Sequence, residues 1–326
     1  MKVFVTGGTG FVGSHLIDVL LERGHEVTAL VRSPAKAEGL AERGVQLVRG
    51  DLDDHAALRD GARDAEVLFH VAALTGAIDE AEFLRANRDG TANLLAAGIA
   101  SGRQPRFVLV SSMAAGGPAR RGRPSVGGDP EHPVTMYGRS KLASEQVVTS
   151  GALPWTIIRP PAVYGPRDAD NVITLFKAVR WGIAPIFGDG SMELSLVHVR
   201  DLAVAIARAG EARGADVVGR VFYANHPEVL TSAAFVRRIA ATLGRRVLLL
   251  PLGRTPVRLA LGVTGALAAL LKRRTILRPD KIHEFFQEAW TGDPAPLMAA
   301  TGWEPHWNAE QGLADTLRWY RAHGWL

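Results

Sequence analysis

Lys2–Thr6 has the character of a short buried strand. It passes without a break into Thr6-Gly7-Gly8-Thr9-Gly10-Phe11-Val12-Gly13 and then into a helical pattern over residues 11–23. This junction constrains the fold more than any other feature of the chain. As a bare pattern, Gly7, Gly10 and Gly13 in GxxGxxG spacing are weak evidence: with 35 glycines in the chain, chance alone supplies roughly 0.4 such matches. Their position is informative. Glycines directly after a first strand let the backbone approach a pyrophosphate, and the following helix offers it free N–H groups and a positive dipole end. The bland alternative is a tight turn with close helix packing at Gly13.

The same alternation continues along the first half. Extended runs at Glu26–Val31, 45–49, 66–71, 106–111 and Trp155–Arg159 are separated by helical patterns at 35–43, 80–101 and 137–149. Strict alternation of this kind predicts an α/β fold, a Rossmann-type doubly wound parallel sheet with right-handed crossovers. After Arg159 the regularity ends. Pro160, Pro161, Gly165 and Pro166 mark irregular backbone. Helices are expected at 172–181, 201–209 and 231–243, the last capped by Thr231, and extended segments at 194–199 and 220–225. The rest is helical and Trp-rich, with Trp303, Trp307, Trp319 and Trp325. The expected organisation is a dinucleotide-binding core over residues 1–165, with 196–226 returning to it. A smaller, mostly helical and discontinuous substrate lobe takes 166–195 and 227–326, and the cleft between them is the expected site.

Composition excludes several other classes. A 47% hydrophobic chain with a net charge of only +5 is not disordered. It has no cysteine, which removes disulfides, thiolate metal sites and a Cys nucleophile. His70, His198 and His226 are dispersed and read as structural, so no metal is expected. Of 38 basic residues only six are Lys. The densest clusters, Arg120-Arg121 with Arg123 and Lys272-Arg273-Arg274, lack aromatic interleaving, so no nucleic-acid partner is expected. The longest apolar stretch, 257–271, contains Arg258 and Gly262 and falls short of the roughly 20 residues that span a bilayer. The N-terminus is unlike a signal peptide, and the cytoplasm is the expected compartment. Residues 256–274 read as a core helix, a pocket lining or a peripheral membrane contact.

Arg32 follows the second strand, where a dinucleotide's adenosine ribose would lie. A site for NAD(H) usually carries a carboxylate there, to accept from the ribose hydroxyls. Here the strand is followed by Arg32, Ser33 and Lys36, which suit a 2′-phosphate, so NADP(H) is expected ahead of NAD(H). The plain reading of Arg32 is a surface residue. Asp51, in Gly50-Asp51-Leu52 after the third strand, can accept from the adenine amino group. It can equally be a turn residue, with Asp53 capping the next helix.

Tyr137-Gly138-Arg139-Ser140-Lys141 is YxxxK. With four Tyr and six Lys in the chain, about 0.07 chance occurrences are expected. The i,i+4 spacing puts both side chains on one helical face. A phenol titrates near 10, and a nearby ammonium together with an oxidised nicotinamide would lower that value toward neutral-pH proton transfer. The plain alternative is a surface Tyr beside a snorkelling Lys. Ser111 and Ser112 end the fifth strand, at the carboxyl edge where open parallel sheets bind ligands. From there the Ser112 hydroxyl can hold a substrate carbonyl toward Tyr137.

Taken in order, these motifs are joined by His70-Val71-Ala72-Ala73, Asn87 with Gly90, Thr91 and Asn93, Arg159 to Pro166, and Val197-His198-Val199 with Asp201. Together they resemble the extended short-chain dehydrogenase/reductase family, the epimerase/dehydratase-like group. The resemblance implies Tyr137 as general acid/base, Lys141 on the nicotinamide ribose and Ser112 orienting the substrate. It implies cofactor contacts from Gly7, Thr9, Gly10, Phe11, Val12, Gly13, Leu52, Ala72, Ala73, Pro160 and Val163, beside Arg32, Lys36 and Asp51. Asn87 is implied as a structural or cofactor-side residue. Substrate contacts fall to Met113, Ala114 and Tyr164. A homodimer through helices around 80–101 and 137–150 is also implied. Sugar-nucleotide members follow Gly-Asp-Gly with a phosphate-binding Arg. Here Gly188-Asp189-Gly190 leads to Glu193 and Leu194, although Arg167 or Arg180 could substitute. The resemblance is nearest the 3β-hydroxysteroid dehydrogenase and ketone reductase branch. It implies hydride transfer between NADP(H) and a carbonyl or secondary alcohol of a steroid-, lipid- or aromatic-ketone-like substrate. The alternatives are a nucleotide-sugar epimerase or dehydratase with retained NAD, and a non-catalytic dinucleotide-binding protein. The Gly-, Pro- and Arg-rich loop 116–133 is expected to be mobile and to order over substrate.

Overall fold

The computed structural model describes residues 1–271 and 273–326, and of Lys36 and Ala269 the backbone alone. β1 (Lys2–Thr6) runs through the glycine turn into the helix Phe11–Glu22, followed by β2 (Glu26–Val31) and β3 (Gln46–Arg49). The helix His55–Ala62, β4 (Val67–His70), a helical stretch over 80–100, β5 (Arg106–Val110), the helix Met136–Thr149 and β6 (Trp155–Arg159) come next. The second half adds β7 (Ala162–Tyr164), β8 (Ile183–Phe187), β9 (Glu193–His198), β10 (Arg220–Tyr223), β11 (Val229–Thr231), β12 (Leu248–Leu252) and β13 (Ala289–Trp290).

A seven-stranded parallel sheet, in the order β3-β2-β1-β4-β5-β6-β10, forms the centre. The chain moves outward from β1 to β2 and β3, then returns to lay β4 on the opposite side of β1. Strand order reverses between β1 and β4, and a crevice opens at the carboxyl edge where it does so. Residues of β1 alternate between the faces, and both are covered. Val3 and Val5 pack with Leu16, Ile17, Ile206 and Trp303 on one side. Phe4 packs with Leu58, Leu94, Phe107 and Leu153 on the other. Trp303 is fully buried and its indole donates to Asp201 O at 3.0 Å, tying the distant C-terminal chain to the sheet layer.

β9 carries β11 and β13 on its two sides and β7 beside it, while β8 and β12 pair in parallel as a separate ribbon. Tyr164, Phe176, Ile239, Leu313 and Tyr320 form the core of this region. β8 and β12 each contain a proline, Pro185 and Pro251, which argues against a strand when only the sequence is read.

Three other expectations differ from the structure. The helix expected at 35–43 is a 3₁₀ turn, Pro34–Ala37, followed by the short helix Glu38–Ala41, in which Gly39 lowers the helix propensity of an already short segment. Asp54 rather than Asp53 caps the helix His55–Ala62, accepting from Ala56 N and Ala57 N at 3.1 and 3.0 Å. The segment 116–133 is anchored rather than free. Ala119 and Ser125 bridge to Ala289 and Gly292, Glu131 pairs with Arg159 at 3.1 Å, and Gly122 N donates to Glu193 at 2.9 Å.

Candidate active site

The glycine turn is built by close approach. Gly7 has φ +76°, in the left-handed region that favours glycine, and a Cβ there would lie 2.6 Å from Ala72 N. A Cβ on Gly13 would lie 2.1 Å from Gly7 O. These contacts press the first helix against the end of β1. Gly10 is its N-cap, and no side chain caps it, so its first N–H groups remain available to an anion. They face a cavity of about 340 Å³ lined by Gly8, Thr9, Gly10, Phe11 and Ser14. Arg43 and Arg167 line the same cavity, held by Asp18 at 2.6 and 2.9 Å. Sequence reasoning missed Arg43 as a site residue. Arg167, the candidate partner for a sugar diphosphate, is on the glycine-turn side. A glycine cradle that a Cβ would fill, an uncapped helix end and two arginines are a donor set that fits a dinucleotide pyrophosphate.

Arg32 is exposed at the end of β2, directly beside β1. The side chain of Lys36 lies outside the described residues, as does Lys272 of the second basic cluster. Asp51 is exposed at the end of β3 and its carboxylate accepts from Asp53 N at 2.9 Å, so it also serves as a turn residue. Leu52 packs where a Cβ on Gly90 would be, 2.7 Å from its Cδ1. Ala72 and Ala73 follow β4 next to the glycine turn. Pro160 is buried, its carbonyl accepting from Met113 N at 2.8 Å, and Val163 is half-buried in β7.

Asn87 is buried in a π-helical turn, Leu84–Asp89. It accepts from Leu74 N at 2.7 Å and donates to Leu74 O at 3.1 Å and Ser140 Oγ at 2.9 Å. Both amide hydrogens are occupied, so Asn87 locks the loop after β4 to the helix of Tyr137. His70 is also structural: its ring bonds Thr6 and Thr91 at 2.7 and 3.0 Å, and burial pushes it down to about 3, with Lys141 adding. No cluster of metal-ligating side chains occurs among the described residues.

Thr135 caps the helix Met136–Thr149 by accepting from Gly138 N at 3.1 Å. Gly138 lies where a Cβ would approach Ala114 O to 2.4 Å, which brings this helix against the short helix Met113–Gly116 at the end of β5. Ser112 caps that short helix through Ala114 N, 3.1 Å away, and its hydroxyl reaches the Tyr137 phenol. Met113 is buried and Ala114 half-buried beside it. Phe83 backs the Tyr137 ring at 6.0 Å between centroids. Lys141 is buried and donates to Val110 O at 2.9 Å, which leaves two of its three hydrogens free. Ser112, Tyr137 and Lys141 thus converge at the carboxyl end of β5.

Burial pushes the Tyr137 phenol up to about 12; the Ser112 hydroxyl opposes the rise and Glu284 adds to it. Burial also weakens the Lys141 cation, to about 8, against the pull of Glu145. The protein's own groups therefore hold the phenol protonated instead of acidifying it. Glu284 and Asp280 come from a segment 140 or more residues away, and Asp280 accepts from Met136 N at 2.9 Å. No local sequence signal points to either.

Beneath the site, Glu145 receives Arg159 through two bonds at 3.0 and 2.6 Å and also the Ser111 hydroxyl. Ser111 is therefore an anchor. Tyr164 departs from its expected substrate role. It is 1% exposed, bonds Asn308 O at 3.3 Å and packs on His198 and Phe235, so it has no surface to offer a ligand.

Residues 3–223 match the model of the NAD dependent epimerase/dehydratase family. The chain is 31% identical over 328 residues to the ceramide reductase of Caulobacter vibrioides, covering 99% of this chain and 96% of that protein. It is 27% identical to a 3-beta-hydroxysteroid dehydrogenase of Mycolicibacterium neoaurum, over 98% of this chain and 91% of that one. The crystal structure of a Thermus thermophilus UDP-glucose 4-epimerase in complex with NAD superposes with a TM-score of 0.77 at 25% identity, covering 98% of this chain and 99% of that one. The chain belongs to the NAD-dependent epimerase/dehydratase family, within the extended short-chain dehydrogenases/reductases, and is an NAD(P)-dependent enzyme.

Proposed function

We propose that the enzyme reduces a carbonyl, or oxidises the corresponding secondary alcohol, of a hydrophobic lipid- or steroid-like molecule with NADP(H). The observation that carries this reading is the convergence of Ser112, Tyr137 and Lys141 at the sheet edge that also holds the glycine cradle. Bound at the cradle, NADP(H) supplies or accepts the hydride. The Ser112 hydroxyl donates to the carbonyl oxygen and holds it against the phenol. Tyr137 hands its proton to the developing alkoxide, and the Lys141 ammonium stabilises the phenolate left behind. With burial raising it to about 12, the phenol carries its proton throughout the physiological range and has it to give. Arg32 supports NADP(H) over NAD(H), since a guanidinium pairs with a 2′-phosphate and no carboxylate replaces it. The relatives' ceramide and steroid names support an apolar substrate. The reading includes the division into a core, 1–165 with 196–226, and a substrate lobe, 166–195 with 227–326. It also includes a homodimer through the helices over 80–100 and Met136–Thr149.

The test is NADPH oxidation by the purified protein against long-chain β-keto, steroidal and aromatic ketones. Tyr137→Phe should cut kcat by about 10²–10⁴-fold and leave NADPH binding nearly unchanged. Unaltered turnover in that variant refutes the acid role. A protein purified with tightly held NAD and no net turnover would favour an epimerase.

A further inference from the structure

Residues 229–279 hold nine arginines, one lysine and neither Asp nor Glu, a charge of +10 over 51 positions; the whole chain carries +5, so the remainder nets −5. The helix Arg254–Leu270 runs through this stretch. Val257 and Leu261 are its buried residues and pack against Ile282, Phe285 and Phe286. Leu259, Val263, Leu267 and Leu270 are 67%, 60%, 52% and 78% exposed, and at 100° per residue they fall within about 80° of arc. The helix is therefore apolar both toward the protein and away from it, which is unusual for a surface helix in water. Its 17 residues measure about 25 Å, and no helix among the described residues is long and apolar enough to cross a membrane. Arg254 and Arg258 on its first turns and Arg273 beyond its end are exposed, whereas the neighbouring Arg274 pairs with Glu82 at 2.6 Å.

We propose that the exposed face of this helix, with the arginines around it, docks in the plane of an anionic lipid bilayer. An apolar stripe with flanking arginines and no acidic residue is the composition that inserts shallowly at a charged interface. A second copy of the chain is a poor occupant, because it would set two strongly positive surfaces against each other. The segment that leaves the helix leads straight to the site: Thr275 bridges to Ala77, Arg278 donates to Ala77 O at 2.7 Å, and Asp280 holds Met136 beside Tyr137. Docking would thus hold the site close to where apolar substrates reside. That consequence rests on the proposed function, whereas docking itself does not.

The experiment is co-sedimentation of the full chain with phosphatidylcholine vesicles, with and without phosphatidylglycerol. The wild type should sediment with the anionic vesicles, far less with neutral ones, and be released by salt. Arg254→Glu with Arg258→Glu should weaken binding by about fivefold for each arginine. Leu259→Asp with Val263→Asp and Leu267→Asp should weaken it at least as much. Both variants should keep the wild-type circular dichroism and NADPH affinity, because the substituted side chains are exposed. No sedimentation, equal sedimentation with neutral vesicles, or unchanged binding by either variant overturns the proposal. So does conversion of a dimer to a monomer by the aspartates with vesicle binding intact, which would assign the face to a second copy. Vesicle-free reduction of a water-soluble ketone tests the reductase reading separately.

Discussion

Glu145 and Arg159 form an ion pair whose side chains are only 4% and 1% exposed. Glu145→Gln keeps the shape and removes the charge. Arg159 then retains Tyr223 OH at 3.2 Å and the half-solvated Glu131 at 3.1 Å, neither of which replaces a two-bond carboxylate. Removing one partner of a buried pair costs about 3–5 kcal/mol, because it strands the other charge. At about 2.1 cal/mol/K per residue, a chain of 326 residues has an unfolding entropy of about 0.7 kcal/mol/K. The expected fall in Tm is therefore about 4–7 °C. Thermal unfolding followed by circular dichroism measures it directly. Glu145→Leu with Arg159→Met removes both charges and should recover most of the loss, since apolar replacement of a whole buried pair is often neutral. A single variant within about 1 °C of wild type, or a double variant no better than the single, would refute the assignment of this pair as a linked buried unit.

Arg32→Asp should weaken NADPH binding by roughly 10–100-fold, the worth of a charge-assisted phosphate bond, and leave NADH binding much less affected; equal losses in fluorescence titrations refute the 2′-phosphate role. Lys141 loses its proton near 8 and Tyr137 near 12. Below about 8 the ammonium is present to stabilise the phenolate, and above it the charge is gone. The rate of carbonyl reduction should accordingly fall as pH rises through 8 while the phenol stays protonated, and a profile flat to pH 10 would exclude this. Gly13→Ala puts a Cβ 2.1 Å from Gly7 O and should weaken NADPH binding by roughly tenfold or more; an unchanged Kd would show that the turn yields.

What is legible in the sequence is what depends on neighbours along the chain. β1 announces itself through Val3, Phe4 and Val5, covered on both faces, and the glycines that follow declare the contact they make because Gly7 and Gly13 touch within a few residues. The face shared by Tyr137 and Lys141 follows from helical spacing alone. The sign of the Tyr137 shift does not, because it depends on what surrounds the ring: Phe83 from one helix, Ser112 from the end of β5, and Glu284 from a segment whose place no local pattern announces. Asn87 and Tyr164 show the same division. Each stands at a motif position, yet the first is consumed by Leu74 and Ser140 and the second by the packing of a helix near the C-terminus. A residue's type and spacing place it at the sheet edge. Whether its polar atoms remain free for a ligand is decided by chain that arrives from far away, and for Lys141 that decision leaves two hydrogens unclaimed at the carboxyl end of β5.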